Sequence, residues 1–191
     1  MVPAPDKIEL RARLRALRRR LAAAAPQAAE QAAQHLPLPR FGAFTCVAGY
    51  HPAGSELHPG AVCRRLVQAG ARFVLPAAER PDAPLMFRAW SEGDPLMADA
   101  AGIPSPAPSA ATIRPDLVIT PLLAFDRAGG RLGQGGGHYD RTLAELRAAG
   151  PVFVLGLAYA GQELPEIPMQ AHDQRLDAIL TETGYIEVGQ G

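Results

Sequence analysis

A glycine-rich segment with charged edges is the part of this chain whose residue types are best suited to chemistry. From Phe125 to Arg141 the sequence reads FDRAGGRLGQGGGHYDR, with glycines at 129, 130, 133, 135, 136 and 137. Glycine allows positive φ and lets a ligand approach the main chain closely. Where such a loop opens into a helix, its N–H groups and the helix N-terminus form an anion site. The segment therefore predicts a site for a nucleotide phosphate, with Arg131, Asp140 and Arg141 at its edges.

The segment matches neither of the two common phosphate-binding motifs. It lacks the G-K-[ST] ending of a P-loop, and its spacing is G-x-G-x-G rather than G-x-G-x-x-G. A glycine-rich loop by itself is equally compatible with a simple turn. The flanking charges favour the phosphate site over the turn.

Helices that would position this loop can be predicted from hydrophobic spacing. Residues 7–25 predict a helix because Leu10, Leu14, Leu17 and Leu21 recur at helical period, with Asp6 as its N-cap. The arginines of this helix are interpreted as a solvated basic face. Further helices are expected over residues 27–34, 59–70 and 139–148.

Apolar runs predict the strands of one sheet. They cover residues 44–50, 72–75, 85–90, 116–120 and 152–157, and a short edge strand at 178–181 closes the chain. Residues 91–114 are rich in Pro, Ala, Gly and Ser and are expected to form an irregular surface segment. Strands alternating with helices predict an α/β fold: a single-domain open sheet with helices on both faces, a Rossmann-like sandwich.

Composition limits the classes of function. Lys and Arg total 19, as do Asp and Glu, so the net charge is zero, which argues against nucleic-acid binding, including binding through the arginine-rich helix. No apolar run is long enough to span a membrane, and no secretory h-region follows the N-terminus. Cys46 and Cys63 are predicted to be packing thiols in a reducing compartment. A cytoplasmic monomer that binds small molecules is the expectation.

The glycine string resembles the 5-formyltetrahydrofolate cyclo-ligase family, also called 5,10-methenyltetrahydrofolate synthetases. The resemblance rests on Pro121, Phe125, Asp126, Gly129 or Gly130, Arg131, Leu132, Gly133, Gly135, Gly137, Tyr139 and Asp140. Weaker support comes from the N-terminal K-x-x-x-R, the YHPAGSEL turn, GIPSP at 102–106 and HDQRLD at 172–177. The resemblance extends over nearly the whole chain and implies an α/β sandwich.

The resemblance also implies a reaction: Mg-ATP converts 5-formyltetrahydrofolate into 5,10-methenyltetrahydrofolate, with release of ADP and phosphate. Catalytic roles would fall to Arg131 and Tyr139. Mg²⁺ would bind Asp140 and Asp173, with Asp177 as an alternative to Asp173. The implied ATP-binding residues are Lys7, Arg11, Arg131, Leu132, Gly133, Gln134, Gly135, Gly136, Gly137, His138 and Tyr139. The implied folate-binding residues are Glu56, His51, Tyr50 and His138.

Departures from the family pattern lie within the glycine string. His138 stands where many members have an aromatic residue, and Gln134 and Gly136 occupy positions that are often basic. A non-catalytic nucleotide- or folate-binding regulator on the same fold is the alternative function. The presence of Lys7, Arg11, Arg131 and Asp140 argues against it, because a protein that only binds need not keep a metal carboxylate.

Overall fold

The computed structural model describes residues 7–189, without the side chain of Lys7. The predicted cap Asp6 and the predicted ATP contact of the Lys7 side chain therefore lie outside the described residues. The helices are α1 (Lys7–Ala24), α2 (Ala28–His35), α3 (Leu38–Phe41), α4 (Gly60–Gln68) and α5 (His138–Ala149), with a short 3-10 helix at Ala160–Gln162. The four predicted helices are present, and α3 is an additional single-turn helix that follows Pro37 and contains Pro39.

Residues 7–189 contain eleven strands, and seven of them form one sheet at the centre of the molecule. The strands are β1 (Cys46–Ala48), β2 (Arg72–Ala77), β3 (Met86–Ala89), β4 (Leu96–Ala98), β5 (Pro104–Pro106), β6 (Leu117–Pro121), β7 (Ala124–Phe125), β8 (Arg131–Leu132), β9 (Phe153–Leu157), β10 (Ala178–Thr181) and β11 (Gly184–Glu187). The order in the large sheet is β11-β10-β9-β6-β1-β2-β3. Its five inner strands pair in parallel, and β3 and β11 close the two edges antiparallel.

Helices cover both faces of this sheet. On one face, α2 and α4 pack on a core that includes Val47, Leu117 and Leu155. On the other face, Leu143 of α5 packs with residues such as Val118. Successive strand residues point to opposite faces, so strands that are covered on both sides read as continuous apolar runs. The predicted α/β fold, with an open sheet and helices on both faces, is confirmed.

The first part of helix α1 lies against the small β7–β8 hairpin, whereas Leu21 near its end packs on the core under α2 and α4. Leu14 is buried with Leu123, Leu132 and Ile167, and Leu10 and Leu17 pack at the border of this cluster. The leucine stripe read from the sequence is thus the contact face of the helix. Its packing places the arginines of α1 beside the glycine-rich segment.

The β7–β8 hairpin divides the glycine string into two parts. Asp126, at its turn, accepts hydrogen bonds from the N–H groups of Ala128 (3.0 Å) and Gly130 (2.8 Å) with one oxygen and from Ile167 N–H (2.7 Å) with the other. Gly129 and Gly130 therefore belong to a hairpin turn, and only residues 133–137 form the loop that leads into α5. The prediction of one continuous loop was wrong, because a two-residue strand is too short to leave a pattern in the sequence.

Two further expectations are corrected by the structure. Strand β10 is not at the edge: β11 pairs with it antiparallel, from Ala178 opposite Glu187 to Thr181 opposite Gly184. The segment 91–114 is not wholly irregular, since β4 and β5 form a hairpin within it. Both features are short and half-exposed, and so lack the continuous apolar pattern of the inner strands.

Within residues 7–189, no helix is long and apolar enough to cross a membrane. Both cysteines are buried and free, as expected of packing thiols. Burial raises the pKa of the Cys63 thiol to about 12, which keeps it protonated and unreactive at neutral pH.

Candidate active site

A cavity of about 440 Å³ opens at the carboxyl ends of the central strands. The chain runs outward from β1 to β2 and β3, then returns to place β6 on the other side of β1. Ligands of open α/β sheets bind in the crevice at such a switch point. The residues that follow β1 and β6, among them Tyr50 and Leu122, line the cavity accordingly.

The loop 133–137 forms one wall of this cavity, which we call the glycine wall. Gly135 and Gly137 have φ values of +109° and +65°, in the region that favours glycine. Gly137 immediately precedes α5 and offers no side chain to cap it. Because the first N–H groups of a helix have no acceptor within the helix, this end can hold an anion.

Arginines of α1 reach the glycine wall from the side. Arg11 Nε donates to the carbonyl oxygen of Gly133 at 3.1 Å, and a side chain on Gly135 would meet the Arg11 guanidinium at 3.4 Å. Arg15 donates to the side-chain oxygen of Gln134 at 3.3 Å. Two cations thus stand beside main-chain atoms that are suited to a phosphate.

An ion pair joins Arg131, just before the glycine wall, to Asp140, just after it. Arg131 Nη2 lies 2.6 Å from Asp140 Oδ1, and the Arg131 side chain is 4% exposed. Burial lowers the pKa of Arg131 and the carboxylate of Asp140 opposes that shift. Arg131 Nε is buried and has no hydrogen-bond partner among the described residues. A buried donor without an acceptor is costly, so this nitrogen is suited to an anionic ligand.

Carboxylates suited to a divalent cation lie at the same end. Asp140 Oδ1 also accepts from Gln174 N–H at 2.9 Å, and the hydrogen bonds to this carboxylate all fall on Oδ1. Asp173 lines the cavity too and accepts from Gln170 N–H at 2.7 Å. Residues 7–189 contain no group of three or more His, Cys, Asp or Glu side chains that could hold a metal by themselves. Two carboxylates fit Mg²⁺, which takes its other ligands from water and phosphate.

The alternative carboxylate, Asp177, has a structural position. It accepts hydrogen bonds from Val154 N–H at 2.7 Å and from Arg147 at 3.1 Å, and it is not among the residues that line the cavity. Of the two candidates for a second metal ligand, Asp173 is the one that faces the cavity.

The loop after β1, residues 50–56, lines another part of the cavity, and we call it the acidic wall after its one carboxylate, Glu56. Its predicted residues Tyr50, His51 and Glu56 all line the cavity. Glu56 Oε2 accepts from Ala53 N–H at 2.9 Å, and the Tyr50 hydroxyl donates to the carbonyl oxygen of Leu57. Burial, reinforced by the charge of Glu56, raises the pKa of Tyr50 well above its usual value. These bonds hold Glu56 within a compact turn.

Arg18 stands behind the acidic wall, where a solvated side chain was expected. The residue is 3% exposed. Its guanidinium donates to Ser55 Oγ at 3.2 Å and pairs with Glu56 Oε1 at 3.4 Å. The arginines of α1 were interpreted as a solvated basic face, and that interpretation is wrong for Arg18. The signal was present in the sequence, because position 18 lies four residues after Leu14 and so falls on the leucine stripe.

His138 and Tyr139 open α5 between the two walls, and both line the cavity. His138 Nδ1 lies 3.3 Å from the carbonyl oxygen of Ala83, so donation to that oxygen requires the proton on Nδ1. Burial, with a further contribution from Glu56, raises the pKa of Tyr139 far above its usual value. The Tyr139 phenol is therefore neutral at physiological pH and carries a proton that it can donate to a hydrogen bond.

A third, apolar part of the cavity was not predicted as a binding surface, although Ile103 belongs to the GIPSP segment that supported the family resemblance. It includes Pro76, Leu85 and Ile103. Asp99 fixes it: one oxygen accepts from Ile103 N–H at 3.0 Å and the other from Ala78 N–H at 2.8 Å, which ties the β4–β5 hairpin to the end of β2. Such a surface is suited to a flat ring.

Comparison with known proteins agrees with this geometry. The profile of the 5-formyltetrahydrofolate cyclo-ligase family matches residues 3–182. The chain belongs to this family. It is thus an enzyme of the cyclo-ligase family, as the glycine string predicted.

Individual relatives support the assignment to the cyclo-ligase family. The 5-formyltetrahydrofolate cyclo-ligase of Mycolicibacterium smegmatis is 38% identical over 143 residues, which cover 71% of this chain and 72% of the relative. The enzyme of the same name from Escherichia coli K12 is 34% identical over 133 residues, covering 66% and 71%. The NMR structure of 5,10-methenyltetrahydrofolate synthetase from Aquifex aeolicus superposes with a TM-score of 0.74 at 26% identity, covering 97% and 94%.

Proposed function

We propose that the protein converts 5-formyltetrahydrofolate into 5,10-methenyltetrahydrofolate with hydrolysis of Mg-ATP to ADP and phosphate. Membership of the cyclo-ligase family supports the folate reaction. The observation that carries the proposal is that the glycine wall and the loop with Glu56 line the same cavity. A reaction that joins a triphosphate to a folate needs both in reach of one another.

The chemistry explains why a triphosphate is needed. The oxygen of a formamide is a poor leaving group as hydroxide. In the proposed sequence the formyl oxygen attacks the γ-phosphorus and ADP departs, then N10 attacks the formyl carbon and loses its proton. The C–O bond breaks last, so the formyl oxygen leaves within inorganic phosphate and the methenyl bridge remains between N5 and N10.

The glycine wall would bind the triphosphate. Phosphoryl transfer depends on positioning and charge neutralisation more than on acid–base groups. The N–H groups of residues 133–137 and of the start of α5 would hold phosphate oxygens, with Arg11 and Arg131 supplying positive charge. Lys7, one helical turn before Arg11, is proposed as a further contact. Asp140 and Asp173 would hold Mg²⁺, which neutralises the charge that develops on the phosphates.

The acidic wall would bind the folate. A carboxylate can accept adjacent N–H donors of a pterin ring, and Glu56 has the position to do so. Tyr50, His51 and His138 would complete this side of the substrate site. Tyr139, neutral because of its raised pKa, would donate a hydrogen bond to the reacting oxygen.

We also propose that the protein acts as one domain, as a cytoplasmic monomer, on a small-molecule substrate. Two free buried thiols and a net charge of zero support a reducing compartment and argue against nucleic-acid partners. Sedimentation of the purified protein would test the monomer, since a species of twice the mass would contradict it.

The central experiment incubates purified protein with 5-formyltetrahydrofolate and Mg-ATP. Methenyl-folate is followed by its near-ultraviolet absorbance, and ADP is measured in parallel. Product and ADP are expected in equal amounts, with neither formed when ATP or folate is omitted. A protein that binds ATP and folate without any rise in absorbance would instead be the non-catalytic regulator.

A further inference from the structure

The guanidinium of Arg18 connects three parts of the fold from a position behind the acidic wall. It extends from α1 to Ser55 and Glu56 in the loop after β1, and Nη1 also donates to the carbonyl oxygen of Leu122 at 3.3 Å, just after β6. Glu56 lines the cavity, but Arg18 is not among its lining residues. Arg18 can therefore act on a ligand only through the residues that it contacts, and of its two cavity-lining contacts, Glu56 and Leu122, Glu56 is the one with a charged side chain.

The carbonyl of Leu122 provides a fixed point for this contact. It also accepts from Gln162 Nε2 at 2.9 Å, and the same amide donates to Leu123 at 3.0 Å. Gln162 is 1% exposed and sits in the short 3-10 helix. Because Gln162 also holds this carbonyl, the Arg18 guanidinium is fixed by the chain at the end of β6. Its position therefore does not depend only on the loop that it supports.

The carboxylate of Glu56 can accept more hydrogen bonds than it receives from the protein. Oε1 takes the Arg18 contact and Oε2 takes Ala53 N–H, whereas a carboxylate offers about four acceptor sites. Its side chain is 7% exposed, and among the described residues Arg18 is the cation with which it forms an ion pair. A buried carboxylate stays ionised only when it is paired or well hydrogen-bonded.

We propose that Arg18 is a positioning residue that holds the Glu56 carboxylate at the cavity, so that Arg18 sets the affinity for the folate and not for ATP. The proposal rests on the proposed function for the identity of the substrate. It predicts that two arginines of α1 act on different substrates: Arg11 contributes to binding of the triphosphate, and Arg18, about two turns further on, contributes to binding of the folate.

The test compares Arg18→Gln and Arg18→Lys with Arg19→Gln, a change at an exposed neighbour on the same helix. For Arg18→Gln the KM for 5-formyltetrahydrofolate is expected to rise about tenfold, the KM for ATP less than about twofold, and Arg19→Gln to change neither. Arg18→Lys keeps the charge but loses the fork of contacts, so its effect is expected to be smaller. Circular dichroism and thermal unfolding identify any variant that fails to fold, in which case Arg18→Lys carries the test.

A double-variant cycle separates action through Glu56 from a general structural role. If Arg18 acts through Glu56, Arg18→Gln combined with Glu56→Gln is no worse in folate KM than Glu56→Gln alone. If the increases in folate KM of the two single variants multiply in the double variant, the proposal is overturned. Equal increases in the KM values for folate and ATP, or an unchanged folate KM in a folded Arg18→Gln protein, would also overturn it.

Calorimetric binding of 5-formyltetrahydrofolate distinguishes failure of this proposal from failure of the proposed function. A wild-type protein that forms no methenyl product refutes the reaction, yet weaker folate binding by Arg18→Gln than by Arg19→Gln would still support the role of Arg18. Equal folate binding by the wild type and Arg18→Gln would refute that role even in an active enzyme.

Discussion

The two walls of the cavity differ in the groups that form them: main-chain groups in one and side chains in the other. The glycine wall is mainly backbone: residues 133–137 offer N–H groups and two positive φ values, and the single buried ion pair there lies within one stretch of chain, between Arg131 and Asp140. The acidic wall depends on side chains, and its ion pair joins Glu56 to Arg18, which lies 38 positions earlier on a separate helix.

This difference determines how each wall can fail. A backbone site is lost when the local conformation changes, even if every charge is kept. A side-chain site is lost when a distant partner changes, even if the local loop is intact. The following experiments use that contrast, from the largest expected effect to the smallest.

Asp140→Asn tests the ion pair of the glycine wall and is expected to have the largest effect. It leaves the buried guanidinium of Arg131 without its counter-charge, so stability should fall by about 2 kcal/mol. Loss of a metal carboxylate should lower kcat/KM for ATP by on the order of a hundredfold or more and raise the Mg²⁺ concentration for half-maximal activity. Activity measured over a Mg²⁺ titration, together with urea unfolding, provides both numbers.

Asp177→Asn is the matched control for Asp140→Asn. Its carboxylate also accepts from a main-chain N–H and an arginine, but away from the cavity. Stability should fall while the Mg²⁺ dependence stays as in the wild type. A shifted Mg²⁺ dependence in Asp177→Asn, or none in Asp140→Asn, would contradict the metal role of Asp140.

Gly137→Ala tests the backbone nature of the glycine wall. Alanine at φ +65° costs about 1–2 kcal/mol, and its Cβ would lie 2.7 Å from Arg141 Nη1, whose guanidinium also bonds to Gly136. The KM for ATP should rise about tenfold while the folate affinity changes little. Gly70→Ala, at φ +108° with nothing within 4 Å of a Cβ, should lose similar stability without any change for ATP. Equal ATP effects in the two variants would refute the prediction.

A tyrosine on each side of the cavity provides a smaller contrast. Tyr50→Phe removes the bond to the Leu57 carbonyl and should cost about 1 kcal/mol of stability with a modest rise in folate KM. Tyr139→Phe should instead lower kcat about tenfold at unchanged folate affinity. Steady-state kinetics of both variants checks this, and matching kinetic changes would remove the distinction.

The same two tyrosines predict a dependence of stability on pH. Burial raises the pKa of both in the folded state, so their protonated forms favour folding. Their contribution is fully present below the unfolded value near pH 10 and is lost as pH rises above it. Urea unfolding between pH 8 and about pH 11 should show a steeper loss for the wild type than for the double phenylalanine variant. Parallel curves would contradict this prediction.

Arg15→Gln should have the smallest effect. Its contact with Gln134 is exposed and 3.3 Å long, so the KM for ATP is expected to rise only about twofold, and less in high salt. Arg20→Gln, exposed on the same helix, is the control. A tenfold change for Arg15→Gln would mean that the side chains of α1 contribute more to the glycine wall than its backbone does.

The glycine wall could be predicted from the sequence because its information is local. Glycines at 133, 135 and 137, the neighbouring Arg131 and the following helix lie within one short segment, and the inner strands carry continuous apolar runs. The leucine stripe of α1 likewise marked the face that packs on the hairpin. These patterns depend on residues whose neighbours in sequence are also neighbours in space.

The acidic wall and the sheet edge could be predicted less well because their determinants are remote. Burial of Arg18 depends on Glu56 and Leu122, which only the fold brings to it. Strand β11 is defined by pairing with β10, and the apolar surface near Leu85 is closed by the hairpin that Asp99 anchors. None of these leaves a periodic pattern in its own segment.

The carboxylate of Asp126 has a consequence for how the protein is made. It fastens the β7–β8 turn to Ile167, and Leu176 N–H donates to Gly129 at 2.8 Å in the same corner. Asp140 in turn receives a bond from Gln174. The proposed nucleotide site thus depends on residues 167–176, which are translated well after its glycines. Until a ribosome has added those residues, the nascent chain lacks the contacts that align the glycine loop, so we expect ligand binding to follow their synthesis.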